Sequence, residues 1–424
     1  MLLNDPFTHL DPQNRFPELV TGVSLFGQTF DRNMRTPYVQ QYNLSAQTEI
    51  SKDMVLEVAY VGTRGVKLLR QVAINQARLA SPQRPIINDV TGAIITTNTP
   101  GNAQLRAPFQ GVATSNGGNG FIQDQTTAQS SYNSFQLSLT RQLSRGLQVQ
   151  ASYTFSKSID NASGQGGGSG TNGLINPGAA LETNAIVGDQ LNDRANRDVS
   201  DFDRTHRLVV SYLWELPKPA FAHRSTSSRL LFTNWQLSGI FTAMSGLPID
   251  VVDAGAGSLY GLTGGGARAS WAPGSTRSTA TSNIPAGYFF NPFAFARARL
   301  IGGQTIPSSG GAAVADTTCS NAAVVCTDLG NVGRNVLRGP RQTNVDFSVI
   351  KRFPFGESKN IEFRAEVFNL FNQVNFANPI SNLNAIPATS FNATGQIINP
   401  GDFGRIISTS NNPRIIQFAV KLNF

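Results

Sequence analysis

Apolar residues recur at every second position in segment after segment of this chain, the period of a β-strand with two unlike faces. Tyr42, Leu44, Ala46, Thr48 and Ile50 share one face, while Gln41, Asn43, Ser45, Gln47 and Glu49 share the other. Past Ser51-Lys52-Asp53 the alternation resumes with Met54, Leu56, Val58 and Tyr60. Phe135, Leu137 and Leu139 follow the same rule, and after Ser144-Arg145-Gly146 so do Leu147, Val149, Ala151, Tyr153 and Phe155. Five more alternating segments run from Leu208 to Leu216, Trp235 to Phe241, Val345 to Val349, Ile361 to Val367 and Ile416 to Phe424. The pattern predicts nine strands of about 10–14 residues. A tilted transmembrane strand needs about 9–11 residues, and strands in soluble sheets average about 5–6.

The connections alternate in length. Ser51 to Asp53, Ser144 to Gly146, Pro217 to Ser228 and Pro354 to Ser358 are short, whereas 65–130, 158–204, 254–340 and 373–412 are long. Outer-membrane barrels sort their loops in this way, with short periplasmic turns and long extracellular loops. The polar faces carry Gln, Ser, Asn and Thr with few charges, which fits a hydrated barrel interior. The predicted fold is therefore all-β, an antiparallel transmembrane β-barrel portion that is incomplete without upstream strands. A soluble β-sandwich or β-helix is the alternative. The long loops are rich in Gly, Ser, Thr and Asn. Residues 164–173 are low-complexity, 178–197 have room for a short helix, and 1–36 read as the remainder of another extracellular loop. Phe363 is expected on the lipid face near mid-strand and Gln150 on the lumen face.

Composition supports this picture. Only 14% of residues are charged, against roughly 25% in soluble domains, and 40% are hydrophobic. No window is apolar enough for a transmembrane helix. The net charge is +8, but the basic residues are scattered and not interleaved with aromatics, so nucleic acid has no support as a partner. The N-terminus lacks the charged and apolar regions of a signal peptide, so either the chain stays inside the cell or Met1 is not the true start. Cys319 and Cys326 fit a small loop disulfide formed in an oxidising compartment. Two unpaired thiols are the alternative, and no His or second Cys pair lies near enough for zinc.

Candidate chemistry is sparse. Asp201, Asp203, Arg204 and His206 cluster where a long loop enters a strand; they fit a metal site or an ion-pair cap, and the cap is preferred. The three histidines, His9, His206 and His223, have no metalloprotease spacing. Gly168, Gly170 and Gly173 match GxGxxG, but without the strand–turn–helix context the dinucleotide fingerprint needs. No cofactor, metal or catalytic group is expected, and no enzymatic chemistry. Tyr38, Tyr42, Tyr60, Tyr153, Trp214 and Trp235 lie near strand ends. They fit membrane-interface girdles or the ordinary β-propensity of aromatics.

Several blocks resemble the barrel of Oar-like TonB-dependent outer-membrane transporters. They are LEVAYVGTRGVKL (56–68), SYNSFQLSLTRQLSRGLQVQASYTFSKSID (131–160), DFDRTHRLVVSYLWELP (201–217), NWQLSGIFTAMSGLPI (234–249), NVGRNVLRGPRQTNVDFSVIKRF (331–353) and FRAEVFNLFNQVNF (363–376). The resemblance implies an outer-membrane protein with a signal peptide, an N-terminal β-sandwich, a plug and a barrel of about 22 strands. On that basis residues 37–424 resemble the C-terminal barrel segment. Its implied partners are membrane lipid, the barrel-assembly machinery, a plug, a TonB-type energy complex and an extracellular substrate of unknown identity. Phe418, Leu422 and Phe424 resemble the C-terminal barrel-assembly signal. Glu362, Arg364, Glu366 and Asp346 are expected to be lumen-facing charges. They would contact a plug, line a substrate path or form a cross-strand ion-pair ladder. A stand-alone outer-membrane pore or adhesin is the alternative function, and a soluble all-β surface protein a further one.

Overall fold

The computed structural model describes residues 27–80, 82, 85–88, 91–98, 100–109, 114, 121–163, 188–189, 192–223, 225–253, 260–261, 268–297, 305–308, 311–315, 330–355, 359–392 and 395–424. Among the described residues nine long strands form one antiparallel meander, each paired with the next in the chain. They are β1 (Tyr38–Ser51), β2 (Met54–Ala73), β3 (Phe121–Ser144), β4 (Leu147–Asp160) and β5 (His206–Glu215). Then follow β6 (Trp235–Met244), β7 (Gln342–Pro354), β8 (Asn360–Phe368) and β9 (Ile415–Asn423). Gly27–Phe30 pairs in parallel with the start of β3, and Asp198–Val199 pairs with the end of β4, which brings the sheet to 11 strands. The sheet is open, with β1 and β9 as its edges. An odd series of antiparallel strands leaves these two edges running the same way.

Register aligns the apolar positions of neighbouring strands. Leu44, Tyr60, Phe135, Phe155 and His206 sit side by side. Further along, so do Tyr212, Gly239, Phe347, Val367 and Ile416. A slip of one residue would exchange the faces. The apolar face has no covering layer: Phe418 is 79% exposed and Val420 66%. A water-facing sheet would not carry such a continuous band of large apolar side chains.

Two connections differ from expectation. β2 and β3 are 20 and 24 residues long, so their ladder continues well into the predicted loop 65–130. Phe121 to Ser131 reads FIQDQTTAQSS, nearly all polar on both faces, so its strand leaves no period-two signal. The hairpin also carries register shifts between Gly65 and Arg70, with Lys67 at φ 57°. The segment from Pro217 is no tight turn either. It holds a 3₁₀ turn, Ala220–His223, and a helix, α1 (Thr226–Phe232). The Ser225 side chain caps α1 by accepting from the Ser228 N–H. No helix occurs among the described residues of 178–197.

Glycine is required at two positions. Arg145 and Gly146 both have positive φ, 50° and 81°, as the two-residue hairpin between Ser144 and Leu147 demands. At Gly239 a Cβ would stand 2.8 Å from the Asp346 carbonyl oxygen and 2.9 Å from the Tyr212 ring. Gly239→Ala is expected to cost about 1–3 kcal/mol through this overpacking. Urea unfolding of the full chain in lipid vesicles checks it, and an unchanged midpoint would show that the strands yield freely there.

The apolar core lies at the loop end of the sheet. Ile249, Val251, Phe290, Phe295, Leu383 and Phe403 are among its buried residues. The rings of Phe290, Phe295 and Phe403 meet edge-on at 5.2–5.9 Å. The backbone joins the same segments. Val252 N–H donates to Ser381 O (3.0 Å), Leu383 N–H to Val252 O (2.9 Å) and Val332 N–H to Ala269 O (3.1 Å). The long connections after β6 and β8 thus fold together as a cap.

Candidate functional site

The polar face of the sheet is its hollow side. A cavity of ≈ 410 Å³ opens there, lined by Gln148 and Gln150 of β4, Ser211 of β5, Ser238 of β6, Asp346 and Ser348 of β7 and Glu366 of β8. These side chains alternate with the apolar row described above. Leu213, Ile240 and Phe368 add apolar patches to the lining. The amides, hydroxyls and two carboxylates between them can hydrogen-bond a polar surface, and the lining holds no nucleophile–base pair.

The charges fall into two groups. Arg352 and Glu362 are cross-strand partners. Glu362 accepts from Arg352 Nε at 2.9 Å and from Arg364 at 2.9 Å, and Arg364 reaches Glu366 at 3.5 Å. This is a ladder along β7 and β8, with the Glu362 side chain buried between two partly exposed arginines. Asp346 stands apart. It accepts from Asn344 Nδ2 (2.9 Å) and from the Asn369 backbone N–H (2.9 Å), which ties it to the end of β8. Phe363 is not at mid-strand. It pairs with Lys351 beside the turn end, because β8 begins only at Asn360.

β9 is an edge strand bonded to β8 alone, and it presents Phe418, Val420, Leu422 and, beyond it, the highly exposed Phe424. The aromatic residues separate by end. Tyr42 and Tyr60 donate to Asn133 Oδ1 and Tyr153 hydrogen-bonds His206 toward the loop end, while Trp214 and Trp235 lie toward the turn end.

At the loop end a buried ion network joins the segments entering the strands. Arg334 donates to Asp160 Oδ1 (3.0 Å), Asp201 Oδ1 (2.7 Å), the Asn196 carbonyl (3.2 Å) and Ser163 Oγ (2.7 Å). Burial opposes the Arg334 charge, but Asp201 and Asp160 outweigh it and hold the guanidinium pKa above its ordinary value. Asn335 donates to the Val199 carbonyl at 2.7 Å, Arg338 is paired with Asp203, and Arg268 reaches Asn196 Oδ1 at 3.0 Å. Asp203 in turn accepts from the Ser158 N–H at 2.6 Å.

The Asp201–His206 cluster is accordingly divided. Both carboxylates go to arginines, Arg204 donates to the Ser245 carbonyl (2.6 Å), and His206 packs 5.1 Å from the Phe155 ring. No metal-binding group of three or more occurs among the described residues. Arg334, Arg338 and Arg268 were not singled out in the sequence. Arg334 and Arg338 stand in the Gly- and Asn-containing start of the block 331–353, and Arg268 in a Gly-rich run, both of which read as loop. Cys319, Cys326 and the GxGxxG glycines lie outside the described residues.

Residues 2–417 match a protein family described as an outer membrane β-barrel domain. No curated protein matches the chain. Among solved structures, the outer membrane transporter YddB from Escherichia coli is similar to it, with a TM-score of 0.41 and 10% identity over 95% of this chain. The chain spans 35% of that transporter's length.

Proposed function

The chain belongs to the outer membrane β-barrel domain family, and from that premise we propose that it forms the C-terminal barrel segment of a TonB-dependent, Oar-like receptor. Its place is the outer membrane. In this reading residues 37–424 are barrel wall and loops, and residues 1–36 are the rest of an extracellular loop. The observation that supports it is the open, odd-numbered sheet with a polar hollow beneath a folded loop cap. A strand edge left unpaired in lipid costs several kcal/mol for each backbone group. An odd number of further strands would pair both β1 and β9 and give the even count of bacterial barrels.

In the proposed receptor the cap captures a substrate outside the cell. A plug coupled to a TonB-type complex gates its passage along the polar wall. The barrel-assembly machinery would read β9 through Phe418, Leu422 and Phe424, and membrane lipid would cover the apolar face. No chemical step is assigned to this chain. An antibody against residues 400–424, used on the outer-membrane fraction, tests the reading. The expected band is far larger than a 424-residue chain, because plug and upstream strands belong to the same polypeptide. A membrane band of 424 residues would overturn it in favour of a stand-alone barrel.

A further inference from the structure

The connection between β5 and β6 differs from the other short connections, and its apolar residues face outward. α1 begins polar, with Ser225, Thr226, Ser227 and Ser228, and ends in Leu230, Leu231 and Phe232. These three are exposed, Leu231 by 58% and Phe232 by 48%, and the exposed Phe221 ring packs edge-on against Phe232 at 5.2 Å. A helix of seven residues is marginal in water, and a run of exposed apolar side chains is a liability there.

Lys351 shows on which side of the wall this segment lies. It occupies the apolar face of β7, in register with Trp235 and Phe363. It is nevertheless only 5% exposed. Its ammonium donates to the carbonyl of Thr233, the C-cap residue just after α1, and lies 5.2 Å from the Trp235 ring and 5.0 Å from the Phe353 ring. Trp235 Nε1 in turn donates to the Leu231 carbonyl at 2.8 Å. The C-terminal end of α1 is therefore tied to the outer face of the wall, at the rim where the lipid-facing band ends. A cation and an indole with its polar edge satisfied are the side chains that favour the membrane–water boundary.

We infer that α1 and its flanking residues are an interfacial foot, set into the phospholipid headgroup region at the turn end of the barrel. The apolar turn of α1 continues the lipid-facing band, and its occupant is the lipid leaflet. Charge agrees: Lys218 and Arg229 lie in this connection, and Arg145 in the tight turn of the neighbouring hairpin. Basic residues at that level attract anionic phospholipid. The inference rests on the family's membrane placement and not on the transport reading.

The full chain, with Cys319→Ser and Cys326→Ser, is folded into phosphatidylethanolamine–phosphatidylglycerol vesicles. A fluorophore is placed through Leu231→Cys or, separately, through Phe363→Cys. Nitroxide lipids labelled at the headgroup or at the acyl-chain end serve as quenchers. The Leu231 probe is expected to be quenched about twofold or more better by the headgroup label than by the chain-end label. Quenching of the Phe363 probe alone would overturn the foot and leave the membrane placement standing. Stronger quenching of the Leu231 probe by the chain-end label would also overturn it, since the segment would then be embedded in the hydrocarbon. Quenching at neither site would overturn both the foot and the membrane placement of this chain.

Discussion

Replacing Arg334 by alanine is expected to release the loop cap while the strands stay paired. The guanidinium is buried and donates to two carboxylates, Asp160 and Asp201, and to Ser163 and Asn196. Its loss leaves the Asp160 carboxylate, only 7% exposed, without a cation and with hydrogen bonds from the Ala162 and Ser163 N–H groups, and leaves Asp201 to Asn335. Breaking a buried pair by removing one partner typically costs about 3–5 kcal/mol, because the remaining charge keeps its desolvation penalty. The loss should be local. Arg334 joins the end of β4 to the segments after β4 and before β7, whereas the strands are held by their own ladders. Hydrogen exchange should rise at 192–203 and 330–338 and stay slow in β5, β6 and β7. Unchanged protection at 192–203 would show that the network does not secure the cap. A uniform rise across the strands would show that cap and wall unfold together.

The second large effect concerns the face of the wall. Phe347 lies on the apolar face in the middle of β7, between Gly239 of β6 and Val367 of β8. Phe347→Arg puts a cation against hydrocarbon and is expected to cost about 2–4 kcal/mol, the penalty near the bilayer midplane. Gln150→Arg lies on the polar face beside the hollow and should stay within about 0.5 kcal/mol of the parent chain. Phe363→Arg separates depth from face. It lies on the apolar face near the turn end, where an arginine reaches the headgroups, so about 0–1 kcal/mol is expected. Unfolding in urea from lipid vesicles measures all three. Equal losses for Phe347→Arg and Gln150→Arg would sink the face assignment. Equal losses for Phe347→Arg and Phe363→Arg would sink the depth assignment.

The wall was legible residue by residue. The alternation around Leu44, Phe135, Tyr153, Leu237 and Val420 located all nine long strands, and Ser144-Arg145-Gly146 marked a real two-residue turn. Glu362, Arg364 and Glu366 share a face because of their spacing, and the structure adds Arg352 from the neighbouring strand. The extension of β3 back to Phe121 was not legible, since residues polar on both faces carry no period. Nor was α1, whose short apolar turn looks like the remainder of a hairpin.

Faces and strands are local properties. A strand's two sides are set by neighbours two positions apart, and lipid on one side and a wet hollow on the other demand opposite chemistry at every step. That information lies within each segment of the chain and survives without knowledge of its partners. The cap is of another kind. Phe290 meets Phe403, and Arg334 meets Asp160, across more than a hundred intervening residues. Neither contact has a period or a spacing. Each exists because the wall fixes the ends of the loops, which lowers the entropy cost of bringing them together and lets burial and charge pairing select one arrangement.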